Sequence, residues 1–221
     1  VAKELSSLAQ NYPKPFFYAL MNLMGSHDRP RILNVLAGND GSDIPRDQRA
    51  HHRLSPEERM IGALREQLML RFIFSVPGMP CIYYGDEAGM EGCADPFCRR
   101  TYPWGHEDAQ MLARYQAMTA MRNAHPVLRT GKCVYLAPCA DVLGVIRKNE
   151  SGRDAFGSQA ENACAVTLIN RSAKEVVVYL TAEDVCGAKT LVTDDGQTLS
   201  ARGGAFSVKV KGLQGMTGFA E

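Results

Sequence analysis

Two adjacent polar side chains, His27 and Asp28, directly follow an apolar run over residues 19–24. An imidazole beside a carboxylate can donate and accept hydrogen bonds to one small ligand. A second polar pair, Asp86 and Glu87, follows the next short apolar run. The alternative for each pair is a local turn in which a side chain caps the backbone. The elements before and after the pairs decide between these interpretations.

The first 130 residues alternate short apolar runs with helical patterns. Residues 19–24 predict a buried strand, because the run is apolar without a 3.6-residue period. Residues 55–58, SPEE, predict the start of a helix through a serine cap, a proline at the first helical position and a reciprocal glutamate. Residues 81–84 predict a second strand, and residues 107–123 a second helix.

This order of strand, helix, strand and helix is typical of parallel α/β folds. Such folds carry ligand groups in the loops at the carboxyl ends of their strands. His27, Asp28, Asp86 and Glu87 are therefore expected on one rim. Asp86 and Glu87 are expected to order their own loop rather than to contact a ligand.

Beyond Thr130 the pattern changes to alternating, β-branched runs separated by turn-forming residues. We therefore place a domain boundary between residues 130 and 131 and predict an antiparallel β-sandwich over 131–221. The predicted strands are residues 142–147, 164–169, 176–180, 190–193 and 206–210.

Composition narrows the class of protein. The chain has 221 residues, 45% of them hydrophobic, and 25 Lys plus Arg against 24 Asp plus Glu. This charge balance predicts no nucleic-acid partner, and the interrupted apolar runs predict no membrane span. The seven cysteines lack paired metal-site spacing, and His51 and His52 lack a third ligand. We expect reduced thiols, a cytoplasmic location, no metal and no cofactor.

Two segments resemble conserved regions of the α-amylase superfamily. Residues 22–31, NLMGSHDRPR, are similar to the region after barrel strand seven, and residues 77–87, PGMPCIYYGDE, to the strand-eight region. Residues 89–104 narrow the resemblance to the neopullulanase, cyclomaltodextrinase and maltogenic amylase branch. It implies that residues 1–130 are the carboxyl-terminal part of a TIM (β/α)8 barrel, carrying strands seven and eight, and that residues 131–221 are the β-sandwich that follows.

The resemblance also implies retaining hydrolysis of α-glucosidic bonds in maltooligosaccharides, cyclodextrins or pullulan. By this resemblance Asp28 is the catalytic carboxylate that fixes the 2- and 3-hydroxyls of the attacked sugar, and His27 donates to the same sugar. Asp95 and Arg99 match positions that bind a sugar hydroxyl farther from the bond. The alternative for Asp95 and Arg99 is a surface ion pair. Cys98 departs from the family, in which asparagine is common at that position.

The family's nucleophile and proton donor would precede residue 1. We therefore expect a carboxyl-terminal fragment that is inactive by itself. The exposed apolar strand over residues 19–24 is expected to be covered either by self-association into a homo-oligomer or by local rearrangement. The alternative function is a noncatalytic carbohydrate-binding or assembly module that uses the β domain. The five aromatic residues after Thr130 bear on this alternative, but strand-like surroundings favour core packing for most of them.

Overall fold

A computed structural model describes all 221 residues. None of its helices is long and apolar enough to cross a membrane. The helices are α1 (Ala2–Asn11), α2 (Lys14–Tyr18), α3 (Ile32–Ala37), α4 (Pro56–Ser75), α5 (Ala109–Ala124) and α6 (Val127–Thr130). The strands are β1 (Met21–Leu23), β2 (Met79–Cys81), β3 (Lys132–Cys139), β4 (Val142–Asn149), β5 (Ala163–Asn170), β6 (Val176–Thr181), β7 (Thr190–Thr193), β8 (Thr198–Ser200), β9 (Ala205–Val210) and β10 (Gln214–Ala220).

The chain divides into two compact units. The first unit comprises Val1–Leu20, Arg71–Met79 and Ala120–Glu221, and the second comprises Met21–Leu70 and Pro80–Thr119. The first unit contains the β-rich domain, and the second contains all four predicted site residues. The domain boundary at residues 130 and 131 stays a prediction.

In the second unit, the start of α4 forms as the sequence predicts. Ser55 Oγ accepts a hydrogen bond from the Glu58 backbone N–H at 3.2 Å, and Glu58 Oε2 accepts one from the Ser55 N–H at 2.7 Å. Two otherwise unpaired backbone donors at the helix start are satisfied in this way. The helix then runs for 20 residues.

The two short strands, β1 and β2, pair in a two-stranded sheet. β1 is shorter than the predicted run 19–24. β2 begins before the predicted run 81–84 and ends at its first residue, because a turn follows in which the Asp86 N–H donates to Tyr83 O at 3.1 Å. Gly85 permits this turn with a φ of 86°.

The first unit contains the β-sandwich. All five predicted strands are present, as β4, β5, β6, β7 and β9, in an antiparallel arrangement. One sheet has the order β3-β4-β5-β10-β7-β8, and β6 pairs with β9 in the other. Apolar side chains from both sheets, among them Val166, Leu168, Leu180 and Phe206, form one buried cluster. The predicted sandwich is confirmed, and β3, β8 and β10 add strands that the sequence pattern did not predict.

Two buried arginines in the first unit bind backbone carbonyls instead of carboxylates. Arg147 Nη1 donates to Ser75 O at 2.9 Å and to Leu128 O at 2.7 Å. Arg122 donates to Leu128 O at 2.8 Å and to Gly78 O at 2.6 Å. Burial lowers the pKa of both guanidinium groups, to about 10 for Arg122. These arginines satisfy carbonyls of turns and helix ends that would otherwise lack donors.

Candidate functional site

The four predicted site residues lie in one cluster, in which Arg99 contacts the other three, His27, Asp28 and Asp95. Its Nη2 is 3.6 Å from Asp28 Oδ1, and its Nε is 3.0 Å from Asp95 Oδ1 and donates to His27 O at 3.0 Å. His27 Nε2 is 3.3 Å from Asp28 Oδ1. The side chains of His27 and Asp28 are 65% and 70% exposed. The cluster thus presents an imidazole, a guanidinium and two carboxylates to solvent.

A close backbone approach positions the turn that carries His27 and Asp28. A Cβ on Gly25 would collide with Oδ2 of the buried Asp86, so only glycine fits between the end of β1 and this carboxylate. On the other side of the turn, Cys98 Sγ donates to His27 O at 3.2 Å. Cys98 is fully buried, and burial raises the pKa of its thiol. At the position where the family commonly has asparagine, Cys98 therefore supplies one weak donor to the turn.

Asp86 and Glu87 order the loop after β2, as expected. Asp86 is buried and its Oδ1 lies 3.1 Å from Nη1 of Arg31, which is itself buried. Burial raises the pKa of Asp86 to about 6 in spite of this partner. Glu87 Oε2 accepts a hydrogen bond from the Gly85 N–H at 2.8 Å. Of the four side chains expected on one rim, Asp86 is buried and paired with Arg31, whereas His27 and Asp28 are exposed.

A second buried carboxyl, Glu66 of α4, is hydrogen-bonded to Tyr115 of α5. The Tyr115 hydroxyl donates to Glu66 Oε1 at 2.6 Å, and Glu66 Oε2 has no hydrogen-bond partner. Burial raises the pKa of Glu66 to about 8, and the negative charge of Asp86 acts in the same direction. At neutral pH Glu66 is therefore largely protonated in the folded chain.

Replacing Glu66 with glutamine is expected to flatten the pH dependence of stability between pH 6 and 8. The folded state binds the Glu66 proton up to about pH 8, whereas the ordinary glutamate pKa is 4.5. As pH rises between these values, the unfolded chain releases the proton first, and stability falls by up to about 1.4 kcal/mol per pH unit. Asp86 contributes in the same direction only below about pH 6.

Urea unfolding at several pH values would measure this effect. Glu57→Gln, an exposed change on the same helix, is the matched control and should keep the slope of the unaltered chain. An unchanged slope between pH 6 and 8 in the Glu66→Gln variant would show that Glu66 is ionised in the folded protein.

A cleft of about 530 Å³ lies in the second unit and does not include His27 or Asp28. One of its walls is Arg59, whose Nη1 is 2.5 Å from Glu91 Oε1 and whose Nη2 is 2.9 Å from Asp108 Oδ2. Asp108 also accepts the backbone N–H of Met111 at the start of α5. Within this cleft Arg59 is paired with Glu91 and Asp108, and Asp108 caps α5.

Sequence reasoning did not identify two charged residue types that are buried in the second unit, Arg31 and Glu66. Arg31 lies within the segment that resembles the family, and its burial is not evident from its type, because arginine is usually exposed. Glu66 lies on a helix between apolar neighbours at positions 64 and 68, which is a weak signal for burial. For Arg31 and Glu66, only the folded structure shows that the side chain is buried.

Comparison with known proteins extends this description. An amylopullulanase from Thermoanaerobacter thermohydrosulfuricus is 35% identical over 96% of the chain, and a cyclomaltodextrinase from Geobacillus thermopakistaniensis is 30% identical over 77% of it. The solved α-amylase from Anoxybacillus superposes with a TM-score of 0.76 at 21% identity, over 98% of the chain and 40% of that protein. No family model matches. The chain spans 14% of the amylopullulanase and 24% of the cyclomaltodextrinase.

The fold is that of the last two βα units of a TIM barrel followed by a β-sandwich, the arrangement of α-amylase-type enzymes. Other relatives are named maltogenic α-amylase and neopullulanase, in agreement with the branch expected from the sequence. The chain belongs to the α-amylase superfamily of glycoside hydrolases.

Proposed function

We propose that this chain is part of a retaining α-glucan hydrolase, in which Asp28 stabilises the transition state. The observation that carries the proposal is the Arg99 cluster, which gathers Asp28, His27 and Asp95 on one exposed surface after β1. The relatives named as amylopullulanase and cyclomaltodextrinase support the α-glucan class of substrate.

In this proposal Asp28 accepts hydrogen bonds from two hydroxyls of the sugar whose bond is cleaved. As the glycosidic bond breaks, positive charge spreads over the sugar ring, the hydroxyls become better donors and the carboxylate binds them more tightly. His27 donates to the same sugar, and its position next to Asp28 lets both side chains reach one ring. Retaining chemistry needs a nucleophile and a proton donor as well. Both would come from parts of a longer protein.

Asp95 and Arg99 are proposed to bind a sugar farther from the cleaved bond. Arg99 also orients Asp28, since its guanidinium lies between the two carboxylates at 3.6 and 3.0 Å. The substrate is an α-glucan oligosaccharide, and the reaction requires no cofactor or metal from this chain. The surface ion pair of Asp95 and Arg99, by itself, contributes little to stability because all its groups are exposed.

The test compares the isolated 221-residue chain with a full-length enzyme that contains it. Release of reducing sugar from cyclodextrin and from pullulan is measured for both at equal concentration. We expect hydrolysis by the full-length enzyme and none by the isolated chain, because Asp28 cannot replace the two missing carboxyl groups. Comparable turnover by the isolated chain would place the catalytic residues elsewhere and overturn the proposal.

The apolar side chains of β1 are exposed, which predicts the oligomeric state of the isolated chain used in the activity assay. Met21 and Leu23 are 64% and 52% exposed. We propose that the isolated chain self-associates through this surface, since an open strand edge with apolar side chains favours pairing with another copy. Light scattering on the assay sample measures this, and a monomer over the whole concentration range would contradict it.

One observation favours the alternative of a noncatalytic carbohydrate-binding module. Tyr179 of β6 is 73% exposed, although strand residues of this kind are expected to pack in the core. Phe206 follows that expectation and is buried. If Tyr179 binds sugar by stacking, Tyr179→Ala will abolish retention of the chain on immobilised cyclodextrin, whereas Asp28→Asn will not. Retention lost only with Asp28→Asn would favour the hydrolase proposal.

A further inference from the structure

Two cysteines of the first unit lie together although 22 positions separate them in the sequence. Cys164 of β5 and Cys186 of the turn after β6 line one cavity of about 510 Å³. Cys164 is buried at the inner side of this cavity, and Cys186 is exposed. Cys164 Sγ donates to Asp184 O at 3.6 Å, two residues before Cys186. The fold therefore brings both cysteines to one cavity, with Cys164 bonded to the turn that carries Cys186.

The turn that carries Cys186 has a defined conformation. The Asp184 carboxylate accepts hydrogen bonds from the backbone N–H and the hydroxyl of Thr181, at 2.7 and 2.8 Å. The Gly187 N–H donates to Ala182 O at 2.7 Å. Cys186 itself has a φ of 55°, which is uncommon for a residue with a side chain. These bonds fix the turn that carries Cys186.

The two thiols differ in access to solvent. Cys164 is 2% exposed within the apolar core, whereas Cys186 is exposed. Lys148 pairs with Cys164 in the β4–β5 register, and its Nζ is 3.0 Å from Glu150 Oε1. Burial raises the pKa of Cys164. An oxidant would therefore meet Cys186 first, and Cys164 would be the second thiol to react.

We propose that Cys164 and Cys186 are a redox-reversible pair that hydrogen peroxide converts into a disulfide. The Cys186 thiolate attacks one peroxide oxygen, the O–O bond breaks, and the sulfur is oxidised to a sulfenic acid while hydroxide leaves. The Cys164 sulfur then attacks the Cys186 sulfur, the S–O bond breaks, and the proton of Cys164 leaves with the oxygen as water. In total two thiols lose two electrons and two protons, and one peroxide becomes two waters.

The disulfide would tie the turn after β6 to the central part of the larger sheet. It would close a loop from Cys164 to Cys186 and reduce the conformational freedom of the unfolded chain. We expect the oxidised chain to unfold at a higher temperature than the reduced one, and a thiol reductant to reverse the increase.

The experiment treats the 221-residue chain with hydrogen peroxide, alkylates it under denaturing conditions and maps its peptides without reduction. All seven cysteines are free before oxidation. The expected result is two fewer alkylated thiols and one peptide pair joining Cys164 to Cys186. Cys186→Ser should leave Cys164 alkylatable, and Cys139→Ser, an exposed cysteine of β3, is the matched control that should keep the linkage.

Three results would overturn the proposal. They are retention of all free thiols, a linkage between other cysteines, and Cys186 oxidised to its sulfinic acid while Cys164 stays free. Thermal unfolding of the Cys186→Ser variant separates loss of the linkage from loss of the fold. This variant should unfold at the temperature of the reduced chain and should not respond to peroxide.

Discussion

Asp28→Asn in a full-length enzyme that contains this chain is expected to lower kcat by about 10²–10³-fold, with a much smaller change in KM. Asparagine keeps the size of the side chain but removes the negative charge. That charge matters most when the sugar ring becomes positive, so the loss falls on the transition state rather than on the bound substrate. His27→Ala should act in the same direction with a smaller effect, because it removes one hydrogen-bond donor and no negative charge.

Steady-state kinetics on a cyclodextrin or on maltooligosaccharides measures this effect. Asp141→Asn is the matched control, because Asp141 is an exposed aspartate of the first unit that pairs only with the exposed Arg171. It should leave kcat and KM unchanged. If Asp28→Asn raised KM and kept kcat, Asp28 would contribute uniform binding, and its proposed role would be wrong.

The largest expected effect on stability comes from Arg147→Met. Methionine retains the apolar stem of the side chain but removes the donors to Ser75 O, Leu128 O and Gly131 O. Leu128 O keeps Arg122 and Gly131 O keeps the Tyr18 hydroxyl as donors, whereas Ser75 O is left without one. A buried carbonyl without a donor costs about 1–3 kcal/mol, so the free energy of unfolding should fall by about that amount. The loss is expected to unfold the β-sandwich domain at temperatures that the unaltered chain survives.

Urea unfolding followed by circular dichroism tests this expectation. Arg171→Met makes the same chemical change at a side chain that is 71% exposed, and should shift stability by no more than about 0.5 kcal/mol. Similar shifts in the two variants would mean that the carbonyls around position 147 find water or other donors when the guanidinium is removed.

The sequence singled out four residues as the candidate site, and their functional roles stay predictions. His27, Asp28, Asp95 and Arg99 lie in two segments that are far apart in the chain, and the family resemblance was the signal that joined them. The buried polar side chains of the second unit were less accessible to sequence reasoning. A buried Glu66 and its Tyr115 partner belong to residue types that also occur on helix surfaces, so their types alone do not predict burial.

The strands of the sandwich show which strands an alternating, β-branched sequence pattern predicts and which it does not. The five predicted strands are rich in β-branched residues, whereas β10 contains Gly215 and Gly218, which weaken the strand signal. Packing explains one of these glycines, because a Cβ on Gly215 would lie 2.7 Å from both Arg71 Cδ and Leu168 O. β3 contains a proline and a register shift between Leu136 and Cys139, features that occur at sheet edges and obscure alternation.

The position of β10 in the larger sheet leaves two strand edges unpaired while the chain is being synthesised. β10 is the last strand in chain order, yet it lies between β5 and β7 in the larger sheet. Until residues 214–220 have left the ribosome, β5 and β7 each have an unpaired edge at which another nascent chain can add. The contact between Val166 and Gly218 also spans a long stretch of chain, and contacts of this kind form slowly. The nascent domain is therefore most prone to aggregation in the interval before its last strand arrives.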